Sequence, residues 1–200
     1  MAIADILLTP AAIWYAPVGE TLPADSVAYG AALGGNWTNV GYTTSPLVLS
    51  IERERYEVMV EQLSTPVKSS VVKDSAVFET TLAEFTGPNL ELAFNGSTLT
   101  TTAAGAVQVA KDEIEWGGST TLDSYAWCFE GLYKDGSNNS FPVRIFVYVG
   151  EAVLNGQLSF AKNKEAGIPL QITTQPNTSL AAGKQIMKIV KVTGAALGST

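Results

Sequence analysis

Between Leu47 and Leu82 the chain alternates apolar and polar positions over two long runs rich in Val, Ile, Thr and Tyr and free of glycine. The pattern predicts two long strands folded back on each other at Leu63-Ser64-Thr65-Pro66. In the first run Leu47, Leu49 and Ile51 share one parity, whereas Tyr56, Val58 and Val60 share the other, with Glu52-Arg53-Glu54-Arg55 between them. Side chains alternate strictly along a strand, so a switch of parity predicts a bulge or a change of surroundings at that point. In the return run Val72, Ala76, Phe78 and Leu82 make a core face, and Ser69, Lys73, Ser75, Glu79 and Thr81 fall on a largely polar one.

A change of period follows. Leu90, Ala93 and Phe94 recur at i, i+3 and i+4 behind Thr86-Gly87-Pro88 and ahead of Asn95-Gly96. This predicts one helix of about two turns, with a cap, a proline in its first turn and a glycine stop. So short a helix is not stable alone and must lie on a sheet. Strand chemistry then returns at 98–102, 107–110, 124–133, 141–149, 153–161, 168–174 and 185–192, with Lys134–Asn139 a strong hairpin turn. Ahead of all this, residues 1–35 are broken by Pro10, Pro17, Pro23 and Gly34-Gly35 and read as an extended arm. Its Ile13-Trp14-Tyr15 cluster is too apolar to stay in water and should dock on its own domain or on a neighbour. The reading is a mainly β protein: a sandwich or barrel of about nine strands over 36–192 with one flanking helix, an arm at 1–35 and a tail at 193–200.

Composition narrows the chemistry. The 200 residues include 19 acids, 12 bases, one cysteine and no histidine, for a formal charge of -7. Without histidine or a second thiol, Ser-His catalysis, an intramolecular disulfide and cysteine-histidine zinc sites are disfavoured. The acidity argues against stable binding of phosphate backbones. No apolar run reaches membrane-spanning length and the N-terminus lacks a basic leader, so a soluble chain with no membrane partner is expected. Residues 1–100 hold 11 acids and 4 bases, whereas residues 101–200 hold 8 of each, so the whole negative excess lies in the first half.

No constellation supports catalysis. Glu52 and Glu54 share a strand face about 7 Å apart without an opposed partner, which is not the paired-carboxylate arrangement of a glycosidase. Asp135, Ser137 and Asn139 alternate like the start of a calcium loop, but Val147 stands near where its closing glutamate belongs. Cys128, between Trp127 and Phe129, reads as a core thiol. The four tryptophans, Trp14, Trp37, Trp116 and Trp127, sit in turn-like or core sequence rather than on a sugar platform. The expectation is no catalytic residue, no cofactor and no metal.

The order of features resembles a family. An arm leads into Asn36-Trp37-Thr38-Asn39-Val40-Gly41-Tyr42-Thr43-Thr44, then the long charged hairpin with Gln62-Leu63-Ser64-Thr65-Pro66-Val67 at its turn. There follow Phe78–Phe85, then Leu90–Gly96, and later Phe160–Leu170. From about Trp37 to Val192 this is similar to the tail tube proteins, or major tail proteins, of long-tailed siphovirus-like bacteriophages.

The resemblance implies a β-sandwich or barrel whose copies form hexameric rings stacked into a tube, each subunit adding four strands to a continuous inner barrel. It implies a virion structural protein, assembled in the host cytoplasm and located in the virion tail. The tube would surround the tape-measure protein, meet tail terminator and tail-tip proteins, and let DNA pass during ejection without binding it stably. Ring closure would also remove the long open edges that such a hairpin leaves in a monomer. Glu52, Glu54, Glu57, Glu61 and Glu79 are the candidate lumen-facing acids, since a repeated anionic wall repels phosphates. Ile13, Trp14, Tyr15, Arg53, Arg55, Ser64 and Pro66 are the candidate contacts between subunits. Which strand parity faces the lumen stays open because of the phase change. Two alternatives remain: the tube of a contractile tail or secretion needle, and a monomeric β-sandwich binding or decoration module.

Overall fold

The computed structural model describes residues 10–135, 139–158, 160, 162 and 165–194. The strands are β1 (Ala12–Pro17), β2 (Thr38–Asn39), β3 (Val48–Val58), β4 (Lys68–Leu82), β5 (Thr98–Thr102), β6 (Lys111–Glu115), β7 (Ser124–Lys134), β8 (Ser140–Leu154), β9 (Ile168–Gln175) and β10 (Met187–Lys191), and the helix α1 is Gly87–Ala93. Eight strands form one antiparallel sheet in the order β2-β1-β7-β8-β9-β4-β3, with β10 also on β8; β5 and β6 pair separately.

The sheet forks at β8. One edge of β8 pairs with β7, while its other edge is shared: β10 takes Val143–Val147 and β9 takes Val149–Leu154. The fork lets a single hydrogen-bonded network make two layers. In a flat sheet Phe78 of β4 and Phe129 of β7, three strand spacings apart, would be separated by about 14 Å. Their rings instead stack with centroids 4.3 Å apart. The sheet therefore curls on itself, and Ile13, Phe78, Trp127, Val147, Leu170 and Ile172 fill the interior. Gly150 belongs to this close packing: a Cβ there would lie 3.0 Å from Trp127 Cδ1 and 3.1 Å from Ile172 Cγ2.

The helix closes one end of the core as its sequence requires. Thr86 caps it by accepting from the Asn89 amide, proline occupies the first turn, and Leu92 and Ala93 are buried. Two buried asparagines tie it down. Asn89 Nδ2 donates to the carbonyls of Val40 and Glu84 at 2.9 and 3.0 Å. Asn95 Nδ2 donates to those of Asp123 and Ala152, both at 2.9 Å.

Residues 12–17 of the expected arm are a strand lying between β2 and β7, docked on the chain's own sheet. Two expectations need correction. Residues 107–110 are not a strand; the chain pairs with β5 through Lys111–Glu115. The strand expected at 153–161 is the end of β8, which runs through Gly150 to Leu154; Ser159 and Ala161 lie outside the described residues, as do residues 1–9, 136–138 and 195–200.

A second apolar cluster, Trp14, Leu33, Trp37, Cys128 and Phe146 among others, lies on the other face of β1, β7 and β8, beneath the segment between β1 and β2. On this face Glu130 and Arg144 form an ion pair, Nη2 to Oε1 2.8 Å, with both side chains fully buried. The rest of the guanidinium is spent on the covering segment: Nη1 donates to the Ala24 and Asp25 carbonyls at 3.3 and 3.5 Å, and Nη2 donates to the Val27 carbonyl. The Gly30 amide donates to Glu130 Oε2 at 2.9 Å. Neither charge is left unpaired, which is the condition under which burial of ions is tolerated.

Burial, and next the neighbouring Glu130 carboxylate, push the Cys128 thiol from 9.0 to about 12. The folded chain keeps this proton between pH 9 and 12 where the unfolded chain sheds it. The stabilisation is therefore complete below pH 9 and falls as pH rises, by at most about 1.4 kcal/mol per pH unit. Urea unfolding from pH 8 to 10.5 is expected to show this decline, and Cys128→Ala to make it shallower.

Candidate functional site

The most conspicuous surface is the β3–β4 hairpin. The last β9 partner on β4 is Val77, which faces Ser50 on β3. Beyond it the two strands run on for about 27 Å to Val58 with no further strand partner among the described residues; the last tie to β9 is the Ala76 amide, which donates to Thr174 Oγ1 at 3.2 Å. Both faces of this extension meet water: every residue from Ser50 to Val58 and from Lys68 to Asp74 is exposed. Ile51 is 62% exposed and Val72 63%, and Tyr56, Met59, Leu63 and Val67 are also open. Apolar exposure of this extent marks a surface that associates.

The phase change on β3 is a change of surroundings, since the strand is exposed on both faces from Ser50 to Val58; the irregularity in the ladder lies in its partner. Glu54 pairs with Lys73 but Arg55 pairs with Val71, so the extra residue is Val72, a bulge on β4 opposite the Glu54–Arg55 step. Because β3 itself is unbulged, its parity assigns the faces. Leu49 and Ile51 continue the core face outward through Arg53, Arg55 and Glu57. Ser50, Glu52 and Glu54 lie on the other face.

The candidate acids therefore separate. Glu52, Glu54 and Glu79 share the face turned away from the core; Glu57 lies on the opposite face and Glu61 in the exposed tip. Glu79 accepts from Asn155 Nδ2 and Gln171 Nε2, each at 3.0 Å. The same face continues over β9 as Gln171 and Thr173, and onto β8 as Glu151, aligned with Thr173 and Val77. Glu151 escaped the sequence reading because Gly150 was taken to end its strand; the shared parity of Val149, Glu151 and Val153 was the available signal. This four-stranded face carries Glu52, Glu54, Glu79 and Glu151 against Lys68 and Lys73, with Ser, Thr, Gln, Val and Tyr56 between them.

The arginines stay off that face. Arg53 binds Asp74 across the strands, Nε to Oδ1 2.6 Å, and this hydrogen bond, then the carboxylate charge, raises the guanidinium pKa. Arg55 lies beside it on the same side, and Ser64 and Pro66 sit exposed in the tip. Ile13, Trp14 and Tyr15 are placed elsewhere. Ile13 is in the interior and Trp14 under the covering segment, and Tyr15 packs on Tyr125 and Trp127 with centroids 5.5 and 5.9 Å away. Their apolarity is used within the chain, with Ile13 and Trp14 buried and Tyr15 partly exposed.

The geometry is that of a curled β-sheet with an overhanging hairpin exposed on both faces and one acid-bearing wall. A family model described as phage tail tube protein matches residues 5–194, and the chain belongs to that family. No curated protein matches the sequence.

Proposed function

We propose that this chain forms hexameric rings that stack into the tail tube of a siphovirus-like phage, around a tape-measure protein and between tail-tip and terminator proteins. The outward face of β3, β4, β9 and the second half of β8 lines the lumen. The observation that carries this reading is the β3–β4 hairpin, which exposes apolar side chains on both faces and extends a wall with two more acids than bases. Repetition of that wall around a ring makes a negative bore along which DNA phosphates are repelled rather than held. The hairpin tip, with Ser64 and Pro66, and the Arg53–Arg55 face meet neighbouring subunits.

Negative-stain electron microscopy of the concentrated protein is expected to show hollow tubes. Compact single particles, persisting when a purified tail-tip complex is added, would sink the proposal. The lumen assignment has its own test. A Glu52→Lys, Glu54→Lys variant should still assemble but retain labelled DNA, with retention falling steeply as salt rises. Variant tubes that exclude DNA as the parent does would place another face on the lumen.

A further inference from the structure

Two short strands end the sheets with an unpaired edge. β10 pairs with β8 alone, and β6 pairs with β5 alone, among the described residues; each has five residues. Such edges are templates for a strand of another chain. Their charges are opposite. Residues 176–194, around β10, contain Lys184, Lys188 and Lys191 and no acid, whereas residues 83–123, comprising α1, β5 and β6, contain Glu84, Glu91, Asp112, Glu113, Glu115 and Asp123 against Lys111 alone. That one lysine is already bridged to Glu113 at 2.7 Å. Each edge also offers exposed apolar surface: Ile189, 60% exposed, on β10, and Val109 and Trp116 on either side of β6.

The two edges lie at different ends of the molecule. β10 lies along Val143–Val147 of β8, whereas α1 is fastened to the same strand at Ala152. The five residue steps from Val147 to Ala152 span about 17 Å. A copy cannot bring its own edges together across that span, but a second copy can, and like edges repel. Such a contact is head-to-tail, the kind that closes into rings or runs on into filaments.

We propose that the β10 edge of one copy docks on the β6 edge of the next, lysines against acids, as one of the contacts that build the assembly. The inference rests on the tube reading, and a second copy of this chain is its partner. Three variants test it: Lys184→Glu with Lys188→Glu, Glu113→Lys with Glu115→Lys, and all four substitutions together. Lys191 is left intact because its ammonium sits 4.4 Å over the Tyr133 ring.

Each pair alone should raise the protein concentration needed for tubes at least tenfold while leaving the thermal melt of the monomer unchanged. The fourfold exchange should restore tubes, and an equimolar mixture of the two pairs should co-assemble. If either pair polymerises like the parent, or if a folded fourfold variant does not polymerise, the pairing of edges is wrong while parental tubes keep the tube reading standing. If the parent itself forms no tubes on the same grids, with the tail-tip complex added, the tube reading fails and the pairing fails with it.

Discussion

Replacing Arg144 by alanine is expected to cost about 3–5 kcal/mol of folding stability, the range for breaking one side of a buried ion pair. The loss has two parts. Glu130, fully buried, keeps only the Gly30 amide as a donor, and the carbonyls of Ala24, Asp25 and Val27 lose the guanidinium that fastens the covering segment. Unfilled carbonyls and an unpaired carboxylate both carry the cost of lost hydration. In a chain of this size the melting temperature should fall on the order of 10 °C. Replacing Glu130 and Arg144 together by apolar residues should cost less than Arg144→Ala alone, because no charge is stranded. A double variant as unstable as the single would show that the ties to the covering segment, not the stranded charge, carry the effect.

Phe78→Ala is the second large effect, expected at about 3–5 kcal/mol by chemical denaturation. Phe78 is fully buried and stacks on Phe129 from the opposite wall of the curled sheet. Truncation removes buried apolar area and also leaves a void that rigid strands cannot collapse to fill. Phe78→Leu, which keeps most of the volume, should recover more than half of the loss. An equal loss in both variants would mean that ring stacking outweighs cavity formation.

What could be read from the residues depended on whether the deciding interactions were local. The parity switch within Glu52–Arg55 marked where β3 leaves the core and both its faces become exposed, whereas the bulge at the same level is Val72 on the partner strand. The helix was correctly bounded by Thr86 and Gly96, since caps and stops act over a few residues. β1 was misread because Pro10 and Pro17 looked like interruptions, whereas a strand fits between them and ends at Pro17; only distant pairing with β7 reveals it. β6 was missed because Lys-Asp-Glu-Ile-Glu has weak strand propensity and is held as a strand by β5. The Glu130–Arg144 pair was within reach: the turn after Lys134 sets Lys134 opposite Ser140, and counting outward sets Glu130 opposite Arg144. That count fixes register but says nothing of burial, which comes from the segment folded over it.

The pairing of β1 with β7 sets an order of events during synthesis. Ala12 must wait for its partner Glu130. At the usual 5–20 residues per second the ribosome takes about 6–24 s to supply it. The β3–β4 ladder needs only nearby residues and closes early, as contacts short in sequence do. Strand β1 is thus among the last of the described strands to find its place, and its β7-facing edge stays unpaired in the nascent chain until β7 emerges.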